Sequence, residues 1–261
     1  MFKLGYIIII LTLALGQSGC SSYQRLLRSD NFEEKYQMAM VFFEQKDYSR
    51  AIQLFDIVQP YFRGTDRAEI LAFYYAYAHY HQRDYILASF YFDRFSRTFP
   101  RSERAKEAAF MSAYCKYLDS PRHNLDQTTT LEAIQALELF INMYPTSPKV
   151  EECNRLIDSL RDKLEQKDVD KARLYFRMGS YISAITAFQH VLKTFPDTKY
   201  REEIMFDLFR AHYFFASRSI AEKKDERIAN AMAAYDNFIA QFPESNLQRD
   251  AAQLQKSLLN Q

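Results

Sequence analysis

The chain has 261 residues, 48% of them hydrophobic, enough to bury a sizeable core in one repeat array or two small domains. Its 34 Lys and Arg nearly balance 33 Asp and Glu, which excludes the one-sided basic field of a nucleic-acid binder. Phe and Tyr are abundant (22 and 19), and only Gly64 and Gly179 lie beyond residue 20, which excludes phosphate-cradling glycine loops and sheets built on tight turns.

The chain opens on an export signal. Lys3 supplies a positive start and Tyr6 to Leu15 an apolar run, too short for a bilayer that needs roughly 20 helical residues. Ser18 and Gly19 lead into Cys20, and the segment resembles a bacterial lipoprotein signal, although Gln17 stands where such signals usually carry Leu. The resemblance implies that Cys20 is diacylated on sulfur and becomes the mature N-terminus; an ordinary secretory signal is the alternative. Ser21 and Ser22 follow, without the Asp that retains many lipoproteins at the inner membrane. Residues 1–19 are therefore read as a removed signal and 20–30 as a lipid-anchored tether at the outer membrane. The leader takes Lys3 with it, leaving 33 charges of each sign.

Five repeats follow. Ala51, Ala88, Ala133, Ala184 and Ala231 each precede, by eleven residues, Phe62, Phe99, Tyr144, Phe195 and Phe242. Pro100, Pro145, Pro196 and Pro243 come next in the last four, Arg63 in the first. Four residues past each alanine stands Phe55, Phe92, Leu137, Phe188 or Tyr235. A small residue, a large one a turn later and an aromatic-Pro stop describe a short helix packed closely on a neighbour, because Pro lacks the N–H and clashes with the preceding turn. With Ala39, Ala76 and Ala172 upstream, these units look like tetratricopeptide helix pairs. That family repeats every 34 residues, whereas the alanine steps here are 37, 45, 51 and 47. The fold class expected is all-α, an elongated tetratricopeptide-like array of about five helix pairs.

The extra residues can be placed. Ser120 to Thr130 is a polar insert within the third repeat, and Ser217 to Arg227 adds helical turns and a loop within the fifth. From Pro148, apolar residues at Val150, Cys153, Ile157, Leu160, Leu164 and Leu174 predict one long linking helix over 148–178. This divides the chain into N-terminal repeats 1–3 over 31–147 and C-terminal repeats 4–5 over 165–255, the latter overlapping the helix. Cys115 and Cys153 are either a disulfide in an oxidising compartment or buried free thiols. The mixed run Glu222 to Arg227 reads as a solvated helix end.

The whole mature chain resembles the BamD (YfiO) lipoproteins of the β-barrel assembly machinery. The lipobox cysteine, five repeats, the long helix, the Ser120-Pro121-Arg122 and Leu125-Asp126-Gln127 insert, and ends such as Phe195-Pro196-Asp197-Thr198 carry the resemblance. It implies a periplasmic scaffold, lipid-anchored on the outer membrane. Such a scaffold binds the POTRA domains of the barrel-inserting protein and contacts unfolded β-barrel precursors, with no nucleic acid and no cofactor. Another periplasmic tetratricopeptide scaffold, for envelope constriction or peptidoglycan synthesis, and a helical binding lipoprotein of a nutrient-uptake system are the alternatives.

In such arrays the first helix of each pair lines the concave groove. Counting back from Ala51 and Ala88 puts Tyr36, Met40, Phe43, Phe73, Tyr77 and Tyr80 at groove positions, with His81 and Arg83 nearby. Rings beside a cation suit an aromatic chain end that carries a carboxylate; packing between helices is the competing reading for each ring. Glu33 and Tyr36 stand where chaperone-clamping arrays carry Lys and Asn, so that binding mode is not expected. No G-x-S-x-G, H-E-x-x-H or C-x-x-C occurs, and His79 and His81 fall on different helix faces. Neither an enzyme nor a metal site is expected.

Overall fold

The structure, a computed structural model, describes residues 22–260; Cys20 and the leader lie outside them. The described residues are helical and turn structure: α1 (22–28), α2 (Phe32–Glu44), α3 (Tyr48–Val58), α4 (Arg67–His81), α5 (Tyr85–Thr98), α6 (Ala105–Asp119), α7 (Thr128–Met143), α8 (Val150–Arg177), α9 (Tyr181–Thr194), α10 (Arg201–Ser217), α11 (Ala221–Gln241) and α12 (Gln248–Leu259). None of these helices is long and apolar enough to cross a membrane. Contacts divide the chain into two units, the first reaching Ser120 and including Thr128–Ile157, the second made of Pro121–Gln127 with Asp158 onwards.

In the first unit the pairs α2–α3, α4–α5 and α6–α7 form as the alanine spacing predicts. Ala51, Ala88 and Ala133 are fully buried, as are Phe55, Phe92 and Leu137 one turn on. The alanine lets two helices approach and the large residue fills the space beside it, so Phe92→Ala would cost about 3–5 kcal/mol. Three helix starts are capped by Asn or Asp: the side chains of Asn31, Asp47 and Asp84 accept from the backbone N–H of Glu34, Arg50 and Leu87, whereas Asp66 before α4 makes no such bond.

Two kinds of helix end recur. Phe99, Phe195 and Phe242, each before proline, leave the helical region with φ of −121°, −122° and −130°, because the proline ring disfavours the α conformation behind it. Helices α2, α4 and α8 end instead on a left-handed residue, whereas α6 ends on the extended Ser120 and α10 on Arg218 at φ −103°. The Lys46 N–H donates to Phe43 O and the Asp47 N–H to Phe42 O, at 3.0 and 2.8 Å. Arg83 with Asp84, and Gly179 with Ser180, repeat the pattern, which is a Schellman closure.

Where the first repeat lacks its proline, α3 runs on into turns over 59–63, and Gly64 at φ +80° redirects the chain to α4. Residues 22–28, placed in the tether by sequence, are helical. Leu26 is buried, the Tyr23 ring meets Phe42 edge-on at 5.6 Å, and the Tyr23 hydroxyl donates to Gln53 at 2.7 Å.

In the second unit Ala184, Phe188, Ala231 and Phe238 are fully buried, and α12 closes the end with Ala251 and Leu258. Helix α8 spans 28 residues. Cys153, Ile157 and Leu160 are buried as its pattern predicts, but Leu174 is 46% exposed; Val169 and Ala172 take the core positions instead. The third-repeat insert is ordered against α8: Lys167 Nζ donates to Leu125 O at 2.5 Å and His123 Nε2 lies 3.1 Å from Asp170 Oδ2. Cys115 and Cys153 are buried free thiols rather than a disulfide.

Candidate peptide-binding face

The first helices of the pairs, with the starts of the second helices, bring rings into continuous contact across the first unit. From α2, Phe43 meets Tyr74 of α4 at 4.9 Å and Tyr48 of α3 at 5.5 Å. Tyr48 stacks on His81 at 4.7 Å with 14° between planes. His81 contacts Tyr77 and Tyr80, and Tyr80 reaches Tyr85 of α5 at 6.0 Å and Tyr114 of α6 at 6.5 Å. Tyr114 then stacks with Phe110 and Tyr117.

The predicted residues divide. Tyr36 and Phe73 are both 8% exposed: Tyr36 lies against Phe62 and Phe73 against Phe92 and Phe95. They are core rings, packed between helices rather than facing the groove. Met40 is half-buried against the first core cluster. Phe43, Tyr77 and Tyr80 are half-buried within the ring ladder, His81 and Arg83 are exposed, and Arg83 makes no ion pair among the described residues. Tyr77 has a structural duty as well, since its hydroxyl donates to Glu107 of α6.

Counting from the repeat alanine missed Tyr74, Tyr114 and Tyr117 on first helices, and Tyr48 and Tyr85 at second-helix starts. The last two were signalled by a recurring Asp-Tyr three residues before the alanine, Asp47-Tyr48 and Asp84-Tyr85.

Electrostatically the face is a set of neutral hydroxyls with cations at its rim. Burial, with the Glu107 bond, raises the Tyr77 phenol; burial also raises Tyr80 and Tyr114. Burial and the nearby Lys46 ammonium lower His81, so the ring is neutral at pH 7. Lys46, like Arg83, has no ion-pair partner among the described residues. Such an array can hold an extended aromatic-rich segment by ring contact and a carboxylate by a charge-assisted bond. A separate groove of about 670 Å³ lies between α5, α6 and α7, walled by Ile86, Phe90, Leu139 and Met143, each more than half exposed.

Comparison with known proteins gives the following. A family model described as outer membrane lipoprotein, YfiO, matches residues 28–226. The outer membrane protein assembly factor BamD of Vibrio cholerae serotype O1 is 31% identical over 78 residues, 30% of this chain and 32% of that protein. BamD of Caulobacter vibrioides is 29% identical over 89 residues, 34% of this chain and 29% of that protein. The chain thus spans about a third of the length of these curated relatives. Among solved structures, a TPR repeats protein from Bacteroides fragilis NCTC 9343 covers 89% of this chain and 99% of its own at 14% identity, with a TM-score of 0.41. Kinesin light chain TPR-like repeats from Podosopora anserina cover 82% and 97% at 13% identity, with a TM-score of 0.33.

Proposed function

The chain belongs to the YfiO family of outer membrane lipoproteins, and from that premise we propose that it is a β-barrel assembly factor. In this reading Cys20 carries the lipid anchor, the body lies on the periplasmic face of the outer membrane, and the protein acts as a scaffold rather than a catalyst. Its partners are the barrel-inserting protein, through the POTRA domains, and unfolded barrel precursors.

The family match over 28–226, together with the two relatives named as outer membrane protein assembly factors, supports the assembly role. The ring ladder from Phe43 to Tyr117 supports the precursor part, since its rings and rim cations suit a chain end with an aromatic residue and a free carboxylate. The exposed apolar walls at Ile86, Phe90, Leu139 and Met143 support a scaffold with protein partners, because monomers rarely leave such residues clustered at the surface.

The test is a mild-detergent pulldown of the full chain with mass spectrometry of bound proteins. Recovery of an outer-membrane barrel bearing POTRA domains, lost from a variant ending at Ser180, supports the proposal. Recovery of envelope-constriction or nutrient-transport proteins in its place overturns it and leaves the fold as described.

A further inference from the structure

We propose that the exposed side of α1, with the Phe32–Tyr61 ring pair beside it, is a membrane-contacting surface seated in the anionic headgroup layer of the bilayer that anchors Cys20. This rests on the lipid-anchor reading above and concerns what that anchor does to the body of the protein.

Helix α1 is fixed to the first repeat rather than tethered near it. Leu26 is buried, Tyr23 is held by Phe42 and Gln53, and Lys35 Nζ donates to Leu27 O at 3.0 Å at the helix end. Ser22 is already helical, so Ser21 alone separates α1 from Cys20. Two residue steps reach at most about 7 Å, similar to the roughly 6 Å of headgroup layer on each side of the hydrocarbon. With acyl chains in the hydrocarbon, the start of α1 stays in or against that layer for as long as α1 remains docked.

What α1 presents there suits the location. Gln24, Arg25 and Arg28 are exposed, and neither arginine makes an ion pair among the described residues. Their i, i+3 spacing puts both cations on one side of the helix. Lys35, bonded to the end of α1, also lies 5.4 Å over the Phe32 ring. Phe32 in turn stacks on Tyr61 at 4.5 Å, and Tyr61 is 60% exposed. Exposed tyrosine and exposed arginine are both interfacial residues: the ring sits at headgroup depth and the guanidinium meets lipid phosphate. Nearby carboxylates cancel only part of the charge. Glu33 is paired with Arg67, while Asp30 and Glu34, whose hydrogen-bond donor Asn31 is neutral, stand against Arg25, Arg28 and the exposed Arg63 and leave the excess positive.

The chain contains no Trp, so a single introduced Trp reports one position. Gln24→Trp and, on α7, Gln135→Trp are made in the chain starting at Cys20. Each is coupled through Cys20 to a maleimide lipid in vesicles of phosphatidylethanolamine and phosphatidylglycerol with brominated acyl chains. Cys115 and Cys153 do not compete, since burial pushes their thiols up to about 12 and about 11. The expected result is loss of emission for Gln24→Trp but not for Gln135→Trp. That loss is reduced by Arg25→Gln with Arg28→Gln, and by a long Gly-Ser insert between Ser21 and Ser22. Equal emission from the two positions, or no effect of the insert, overturns the proposal. The intact mass of the chain extracted from cells tests the anchor separately: absence of acyl chains on Cys20 overturns the lipid-anchor reading whatever the coupled vesicles show.

Discussion

Lys46 and Arg83 occupy the same turn one repeat apart, each with φ of +62° at the close of the first helix of a pair, where the second unit has Gly179 at +75°. A side chain in this left-handed region costs about 1–2 kcal/mol, partly offset by the greater freedom of glycine in the unfolded chain. Lys46→Gly and Arg83→Gly should each stabilise the first unit by about 0.5–1 kcal/mol. Urea unfolding at neutral pH checks this. A loss of stability in both variants would mean that these side chains hold the turn by contacts, contrary to the exposed, unpaired positions described.

Retaining two strained cations beside the ring ladder makes sense if they bind something. A peptide ending in an aromatic residue with a free carboxylate should bind about tenfold more weakly to Arg83→Gly, the loss of one charge-assisted bond. Amidating the peptide should weaken its binding to the unsubstituted protein by a similar factor. Tyr80→Ala should weaken binding of both peptides. Tyr77→Ala is a poorer probe, because its hydroxyl joins α4 to Glu107 of α6. Calorimetry that gives one affinity for all combinations would refute the assignment of this face.

Much of the fold was legible because a few residues carry it. Ala51, Ala88, Ala133, Ala184 and Ala231 can be buried between helices only at one register, and Pro100, Pro196 and Pro243 stop α5, α9 and α11 by local sterics. The first repeat was less legible because Arg63 imposes no such stop. The site was only partly legible. Tyr36 and Phe43, or Phe73 and Tyr80, share a hydrophobic period, and periodicity does not say which side of an apolar stripe a neighbouring helix will cover. Only the packing of Phe62, in the turn after α3, and of α5 buries Tyr36 and Phe73 while leaving Phe43 and Tyr80 half-buried. Helix α1 was missed because seven described residues rich in Arg and Gln show little amphipathic period; docking on Phe42 and Gln53 makes it a helix.

The repeat register itself is testable. Ala88 and Ala184 are fully buried at helix crossings, one in each unit. Leucine at either place adds three carbons where the packing leaves no room and should cost about 1–3 kcal/mol. Loss of stability in Ala88→Leu should appear in the unfolding of the first unit, and in Ala184→Leu in that of the second. Unchanged melting in both would mean that the crossings lie elsewhere.

Acid should loosen the protein before carboxylates begin to titrate, and His79 gives the reason. Its ring is 6% exposed, stacks on Tyr91 at 5.1 Å and meets Tyr75 edge-on at 4.8 Å, and neither nitrogen has a hydrogen-bond partner among the described residues. Nδ1 lies 3.5 Å from Asp84 Oδ2, outside hydrogen-bond geometry, so the carboxylate only partly offsets burial. Burial therefore lowers His79 from the ordinary 6.5, as it lowers His81 and His212. The folded chain takes up these protons at lower pH than the unfolded chain does. The associated stability is thus complete above about pH 6.5 and is lost as pH falls through the folded values. Urea midpoints should be level near pH 7 to 8 and decline below about 6.5. His79→Phe keeps the ring contacts and removes two unpartnered nitrogens. It should raise stability by about 1 kcal/mol at pH 7 and make the acid decline shallower. A decline equally steep in His79→Phe would assign the effect to His81 and His212 instead.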